Sequence, residues 1–307
     1  MQRTIRIGTR ESELALWQAN HVRTLLENEG IQVILVPIKS EGDVDLITPL
    51  YEMGVQGIFT RTLDIALLND HIDLAVHSMK DVPVQLPAGI VQAAILKRGS
   101  PFDLLVFKTS QSFLSDPHFS AQIATSSIRR KAQWLHRFPH HHMHNLRGNV
   151  NTRLEKLKAS GWDAAIFAEA GLARINKIPA NSIVLDWMLP APAQGAILAV
   201  CRKNDKELQD SCQIMHDENT AWCTSLERQF LRTLLGGCST PISAYATLED
   251  DLIHFKGNML SPDGIQLATI EKKVHRNNSA ALGTEAALEL LTTGGDEIIR
   301  EIRKAGV

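Results

Sequence analysis

The stretch Ile5-Arg6-Ile7-Gly8-Thr9-Arg10-Glu11-Ser12 passes from an apolar run through a glycine-bearing turn into a segment whose apolar positions, Leu14, Trp17, Val22, Leu25 and Leu26, recur near helical spacing. Strand, tight turn and serine-capped helix in that order form one building unit of an α/β sheet. The unit recurs. Val33 to Ile38 is apolar, Arg61 to Leu68 reads as a helix, and Ile72 to Val76 reads as a buried strand entering His77-Ser78-Met79-Lys80-Asp81-Val82-Pro83. Farther on, Ala121 to Ala124, Met143 to Leu146 and Ala164 to Ala168 each lead into a helical segment. Parallel strands need crossover helices, so this alternation implies α/β layers with largely parallel sheets.

Two hinge-like compositions interrupt the alternation, Lys97 to Pro101 and Leu189-Pro190-Ala191-Pro192-Ala193-Gln194-Gly195. Two crossings let the chain leave a first domain and return to it. After residue 217 the pattern changes to a helix through Glu227 and Leu234, then alternating runs Leu252 to Leu260 and Ile265 to Val274 about a Ser261-Pro262-Asp263-Gly264 turn. Helices over Ala280 to Leu291 and Asp296 to Lys304 close the chain. The expected division is 1–97 with 196–216 as domain 1, 101–190 as domain 2, and 217–307 as a smaller α+β domain 3.

With a net charge of −2, the overall balance gives no support to a nucleic-acid partner. No segment approaches a membrane span, and the N-terminal residues lack the apolar core of a signal peptide, so a cytoplasmic protein is expected. The four cysteines, Cys201, Cys212, Cys223 and Cys238, form no C-x-x-C pair. His140, His141, His142 and His144 have no local carboxylate or cysteine beside them, and no metal site is assigned.

The chemistry lies in the turns. In Ser126-Ser127-Ile128-Arg129-Arg130, two arginines stand in the first helical turn, where they oppose the helix dipole unless an anion sits there. Arg147-Gly148-Asn149 with Arg153, Arg10 after Gly8, and Arg174 after Gly171 repeat the arrangement at expected strand ends, where ligands of open α/β sheets bind. The guanidinium fork matches carboxylates, so a polycarboxylate ligand is expected. Asp81 among these cations suits stabilisation of a developing positive charge, or proton transfer, better than substrate anchoring. Cys238 follows Gly236-Gly237 on an expected tight loop. Gly54 to Arg61, which includes Gln56 and Phe59, lacks the lysine and Ser/Thr of a phosphate loop and is read as a flap over the site.

IRIGTRESELALWQ, HSMKDVP, TSSIRR, LRGNVNTR, AGLAR, PAQGA and ERQFLRTLLGGCSTPI occur in one order over nearly the whole chain. In these segments the chain resembles the porphobilinogen deaminases, also called hydroxymethylbilane synthases. The resemblance implies two α/β domains like the lobes of type II periplasmic binding proteins and a smaller α+β domain. It implies a dipyrromethane cofactor held by Cys238 through a thioether, with Ser78, Lys80, Thr125, Ser127, Arg129, Arg130, Arg147 and Gly148 around it. Asp81 would be catalytic. Arg10, Ser12, Ser126, Asn149, Arg153, Arg174 and Gln194 would hold the substrate, and Gln56, Phe59 and Arg61 would form the flap. The implied reaction condenses four porphobilinogen molecules with loss of ammonia, then releases linear hydroxymethylbilane, in a cytoplasmic monomer. The chain departs from the family pattern at Gln56 and Arg61, where lysines are common, and at Ala193, where glycine often precedes the glutamine. A solute receptor would share the two-lobed layout, but would have no use for Cys238.

Overall fold

The computed structural model describes residues 3–39, 60–234 and 240–304, so Gln56, Phe59 and Cys238 lie outside the described residues. The chain opens with β1 (Ile5–Thr9), α1 (Glu13–Asn28), β2 (Val33–Pro37), α2 (Arg61–Leu68), β3 (Leu74–Ser78) and β4 (Ile90–Ile95). It crosses into β5 (Asp103–Phe107), β6 (Gln122–Ala124), α3 (Ile128–Arg137), β7 (His142–His144), α4 (Val150–Ala159), β8 (Ala164–Ala168), α5 (Glu169–Arg174) and β9 (Ser182–Val184). It returns as β10 (Ile197–Arg202) and α6 (Lys206–Cys212), and ends in α7 (Glu218–Thr233), β11 (Ile242–Glu249), β12 (Leu252–Leu260), β13 (Leu267–His275), α8 (Leu282–Leu290) and α9 (Asp296–Lys304).

The two α/β lobes share one topology. The first sheet runs β2-β1-β3-β10-β4 and the second β7-β6-β8-β5-β9. In each, the first three strands are parallel and the fourth lies antiparallel to both neighbours. That fourth strand is the one entered on crossing from the other lobe, so each crossing ends by inserting a strand into a sheet interior. The central strands β1, β3 and β10 of the first sheet and β5 and β8 of the second are buried on both faces, as sheets covered by helices require. In β10, Ile197, Ala199 and Cys201 pack with Ala19, Val22 and Leu26 of α1, while Leu198 and Val200 pack with Leu63 and Leu67 of α2.

The C-terminal unit is a three-stranded antiparallel sheet, β11-β12-β13, packed with α7 and α8 around Phe230 and Phe255. The expected hairpin is β12–β13, and β11 adds a strand that the sequence reading did not contain. Its inward positions include Ala244 and Ala246, whose small side chains make a faint alternation. The expected strand at Ile72 begins two residues later, just after Asp73, a buried acceptor for Arg6 and Arg202.

The crossings lie against each other. Gly99 N–H donates to Gly195 O at 3.0 Å, and a Cβ on Gly195, whose φ is +90°, would stand 2.6 Å from Ser100 O. Arg98 donates through both ends of its fork to Glu227 of α7 at 2.6 and 3.1 Å and through Nε to Gln194 O at 2.8 Å. Glu227 is fully buried and also accepts from the backbone N–H groups of Ala193 and Ala246. One carboxylate therefore joins both crossings to the C-terminal unit.

Ala193, just before Gln194 in the second crossing, has φ +61°. A left-handed backbone costs a Cβ-bearing residue about 1–2 kcal/mol, and glycine's greater freedom in the unfolded chain returns about half of that. Ala193→Gly is expected to raise stability in a denaturant titration by up to about 1 kcal/mol. A clear loss of stability would contradict that strain.

Candidate active site

The carboxyl ends of the parallel strands carry the expected residues. Arg10 follows β1, and Ser12 caps α1 by accepting from Ala15 N–H at 3.4 Å. Ser78 ends β3 and exchanges hydrogen bonds with Gln18, a buried residue to which the sequence alone assigns no role. The chain then makes a single 3-10 turn, Met79–Asp81, with Lys80 half-buried and Asp81 exposed.

In the second lobe Thr125, Ser126 and Ser127 follow β6. Ser127 caps α3 by accepting from Arg130 N–H at 3.4 Å, while Thr125 Oγ1 accepts from Ser127 N–H, and Ser126 Oγ donates to Leu146 O. After β7, Arg147 is buried, Gly148 has φ +113° and Asn149 caps α4 by accepting from Thr152 N–H at 3.0 Å. A Cβ on Gly148 would sit 2.8 Å from the Thr152 side chain, so both torsion and space require glycine here. Arg153 Nε donates to Gly148 O at 2.7 Å and fixes that turn from within the helix. Arg174 lies on α5 and donates to Gly195 O at 2.6 Å, which ties it to a crossing; burial lowers its guanidinium to about 10. Arg61 opens α2 and is exposed.

Arg129 and Arg130 are buried, and both turn to one carboxylate. Arg129 Nη2 donates to Asp103 Oδ2 at 2.7 Å, and Arg130 donates through Nε and Nη2 to Asp103 Oδ1 at 3.1 and 2.8 Å. The cations at the N-terminus of α3 thus have their anion inside the protein. Asp103, at the head of β5, is fully buried and went unnoticed in the sequence, where it reads as a polar residue after Pro101-Phe102. The two arginines hold its carboxyl well below the usual range, against the burial that acts to raise it. The balance that could have revealed it was visible: two arginines in a first helical turn require a nearby negative charge.

Gln194 links the lobes. Buried in the second crossing, it accepts from Lys80 Nζ at 3.1 Å and donates to Asp103 Oδ1 at 2.9 Å and Pro101 O at 2.6 Å. Burial brings Lys80 down to about 8; Asp81 and Asp103 act to raise it, and Arg130 and Arg129 to lower it. Arg153 falls to about 10, chiefly through burial and then through Arg130, Arg147 and Arg10, with Asp81 opposing. These couplings bring residues of both lobes into one field. The carboxylates among them are Asp81 and Asp103, fewer than the cations, so the cluster suits a ligand with several carboxylates.

Lys80 gives this field a pH dependence. Below about 8 its ammonium attracts carboxylates, and above it the amine does not. The affinity of cofactor-free protein for a simple dicarboxylate such as succinate is therefore expected to fall as pH rises through 8. Calorimetric titration checks this, and Lys80→Met should abolish the step.

His141 is buried and accepts from Trp134 Nε1 at 3.2 Å, and its ring stacks on Phe138. His144 pairs with Gln122 at 2.6 Å. Cys201, Cys212 and Cys223 are buried, and burial pushes their thiols to about 11, 12 and 11.

Two family models match the chain: "Porphobilinogen deaminase, dipyromethane cofactor binding domain" over residues 5–210 and "Porphobilinogen deaminase, C-terminal domain" over residues 221–292. Among solved structures, the chain is similar to a probable amino-acid ABC transporter extracellular-binding protein of Bacillus subtilis. The two are 14% identical, covering 69% of this chain and 90% of that one, with a TM-score of 0.41. It is also similar to the L-cystine solute receptor of Neisseria gonorrhoeae, at 12% identity, covering 75% of this chain and 87% of that one, with a TM-score of 0.38. Two α/β lobes of one topology, a smaller α+β unit and a cation-rich cluster of strand ends accompany family matches across nearly the whole sequence. The chain belongs to the porphobilinogen deaminase family, transferases that use a dipyrromethane cofactor and act as hydroxymethylbilane synthases.

Proposed function

We propose that the cleft between the lobes is where porphobilinogen is condensed, with Asp81 as the catalytic group and Cys238 as the covalent attachment point of the dipyrromethane. The observation that carries this reading is the hydrogen-bonded link from Lys80, next to Asp81, through Gln194 to Asp103 and its partners Arg129 and Arg130, which brings strand ends of both lobes together. When bound, the dipyrromethane supplies a free pyrrole α-carbon to which the next porphobilinogen is joined. Arg10, Arg147 and Arg153, with Lys80, bind carboxylates at the strand ends. Arg129 and Arg130 keep Asp103 neutralised and, together with it, retain one positive charge for the ligand. Ser12, Ser78, Thr125, Ser126, Ser127, Gly148 and Asn149 supply hydroxyl, amide and backbone groups at the same ends, while Gln194 and Arg174 hold the crossing that shapes the cleft.

Each condensation forms a carbon–carbon bond, releases ammonia and passes through positive charge on a pyrrole ring. An exposed carboxylate on a rigid turn can stabilise that charge and take the proton that leaves the new junction. Cys238 gains support from the other thiols, which are buried and raised, whereas bond formation requires thiolate character. Sheet membership supports the division into 1–97 with 196–216, 101–190 and 217–307. Gln56, Phe59 and Arg61 are read as a flap, and the protein as a cytoplasmic monomer, for which light scattering in solution is the test. Among the described residues no helix is long and apolar enough to cross a membrane.

Asp81→Asn keeps the size of the side chain and removes its charge. Turnover of porphobilinogen is expected to fall by roughly 10², the scale of losing one key electrostatic group, while dipyrromethane remains attached. A variant within a fewfold of the parent rate would remove Asp81 from the reaction.

A further inference from the structure

α7 does more than bury an apolar face. Its consecutive residues Glu227 and Arg228 point to different parts of the site, as an angular step of about 100° per residue dictates. Glu227 holds the crossings. Arg228 reaches the 3-10 turn that carries Asp81, donating through Nη1 to Val82 O at 2.9 Å and through Nη2 to Pro83 O at 2.6 Å, with Met79 O 3.5 Å from Nη1. The guanidinium thus spans carbonyls on both sides of Asp81. Burial lowers it to about 10.

The turn has other supports on both sides of Asp81. Upstream, Ser78 is held by Gln18, Met79 N–H donates to Ala196 O at 3.0 Å, and Lys80 donates to Gln194. Downstream, Val82 N–H donates to Met79 O at 3.1 Å and the Val82 side chain is buried in the core. The chain leaves through Val82 and Pro83 before β4 begins at Ile90, and the fork of Arg228 is bonded to both carbonyls. The Asp81 side chain is exposed, so the backbone of the turn sets where its carboxylate stands. The fork is suited to this role: two adjacent carbonyls receive two fixed N–H groups, and a cation favours the carboxyl end of a helical turn.

We propose that Arg228 is a positioning residue that fixes the Asp81 carboxylate relative to α7, the helix that leads within five residues to Cys238. The inference rests on the reading of Asp81 as the catalytic group. It distinguishes Arg228 from the arginines of the cleft. Those meet successive carboxylate pairs, so their loss stalls particular additions, whereas a displaced Asp81 slows every addition by one factor.

The test is a double-mutant cycle on the cofactor-loaded enzyme, read by steady-state kinetics and by mass spectrometry of the enzyme-bound intermediates after brief exposure to porphobilinogen. Arg228→Met is expected to lower kcat about tenfold or more, as displacement by about 1 Å can, with KM within about twofold of the parent. All intermediates should accumulate in their usual proportions, only more slowly. Arg228→Lys, which keeps the charge but offers one point donor in place of a fork, should recover part of the rate. In an Asp81→Asn background, Arg228→Met should cost less than about twofold, because residues acting as one unit are non-additive.

An equal loss in both backgrounds would make Arg228 a purely structural contact and overturn the proposal, as would a parent-like Arg228→Met. Should Arg228→Met fail to fold, Arg228→Lys carries the same cycle: a severalfold loss present with Asp81 and absent in the Asp81→Asn background supports the role, and one present in both refutes it. If Asp81→Asn alone turned over at the parent rate, the reading of the site would fail, and the proposal with it.

Discussion

Cys238→Ser protein is expected to carry no pyrrole adduct and to make no hydroxymethylbilane. A serine hydroxyl at neutral pH is a far poorer nucleophile than a cysteine, whose thiolate is partly populated and intrinsically reactive. Nor can another thiol take its place. Cys201 and Cys212 are fully buried, Cys223 nearly so, and thiols raised to about 11 or 12 remain protonated through the physiological range. Intact-mass measurement checks the expectation: the parent should exceed its polypeptide mass by a dipyrromethane, and the variant should not. A stable adduct with normal turnover in Cys238→Ser would move the attachment point elsewhere.

Asp103→Asn has the second largest expected effect, and it is an effect on folding before it is one on catalysis. The substitution leaves the guanidinium groups of Arg129 and Arg130 buried without their carboxylate. Breaking a buried ion pair from one side costs about 3–5 kcal/mol. Denaturant titration should show a loss of that order, whereas Asp81→Asn, at an exposed position, should lose less than about 1 kcal/mol. A loss of under about 1 kcal/mol at Asp103 would mean that the paired charges carry no net weight.

The pH dependence follows in sign. The carboxyl of Asp103 is depressed in the folded protein, and an unfolded aspartate titrates near 3.9, so its stabilisation is complete above about pH 4 and is lost as pH falls through the lower folded value. Asp73, held by Arg6, Arg202 and Arg3, is depressed in the same direction. Asp103→Asn should therefore remove part of the acid-induced loss of stability, with the share due to Asp73 remaining.

The arginines show how far sequence reasoning reaches. The turns bearing Arg10, Arg147, Arg153 and the Arg129-Arg130 pair were legible because glycine, capping residue and cation fall within a few positions, and local geometry makes them a strand end followed by a helix start. Ser12, Ser127 and Asn149 each cap the helix they precede. What an arginine's fork engages was not legible. The pair at 129 and 130 reads alike in sequence whether its anion is a ligand or Asp103, which lies 26 and 27 positions away. Arg228 reads as one more cation on a helix face, and its acceptors lie about 146 residues earlier.

By itself, the sequence determined the alternation of strand and helix, the places where the chain changes lobe, and the chemical inventory of thiol, carboxylate and guanidinium groups. Each of these is written in patterns of period 2 or 3.6, or in residues a few positions apart, and short-range sterics and burial suffice to read them. The tertiary structure alone decided that the strands after each crossing lie antiparallel in a sheet interior, that β11 joins the hairpin, and that Glu227 and Asp103 are sealed against particular arginines. Those outcomes depend on contacts between segments far apart in the chain. Burial raises the cost of an unpaired charge there until only one arrangement satisfies every donor and acceptor.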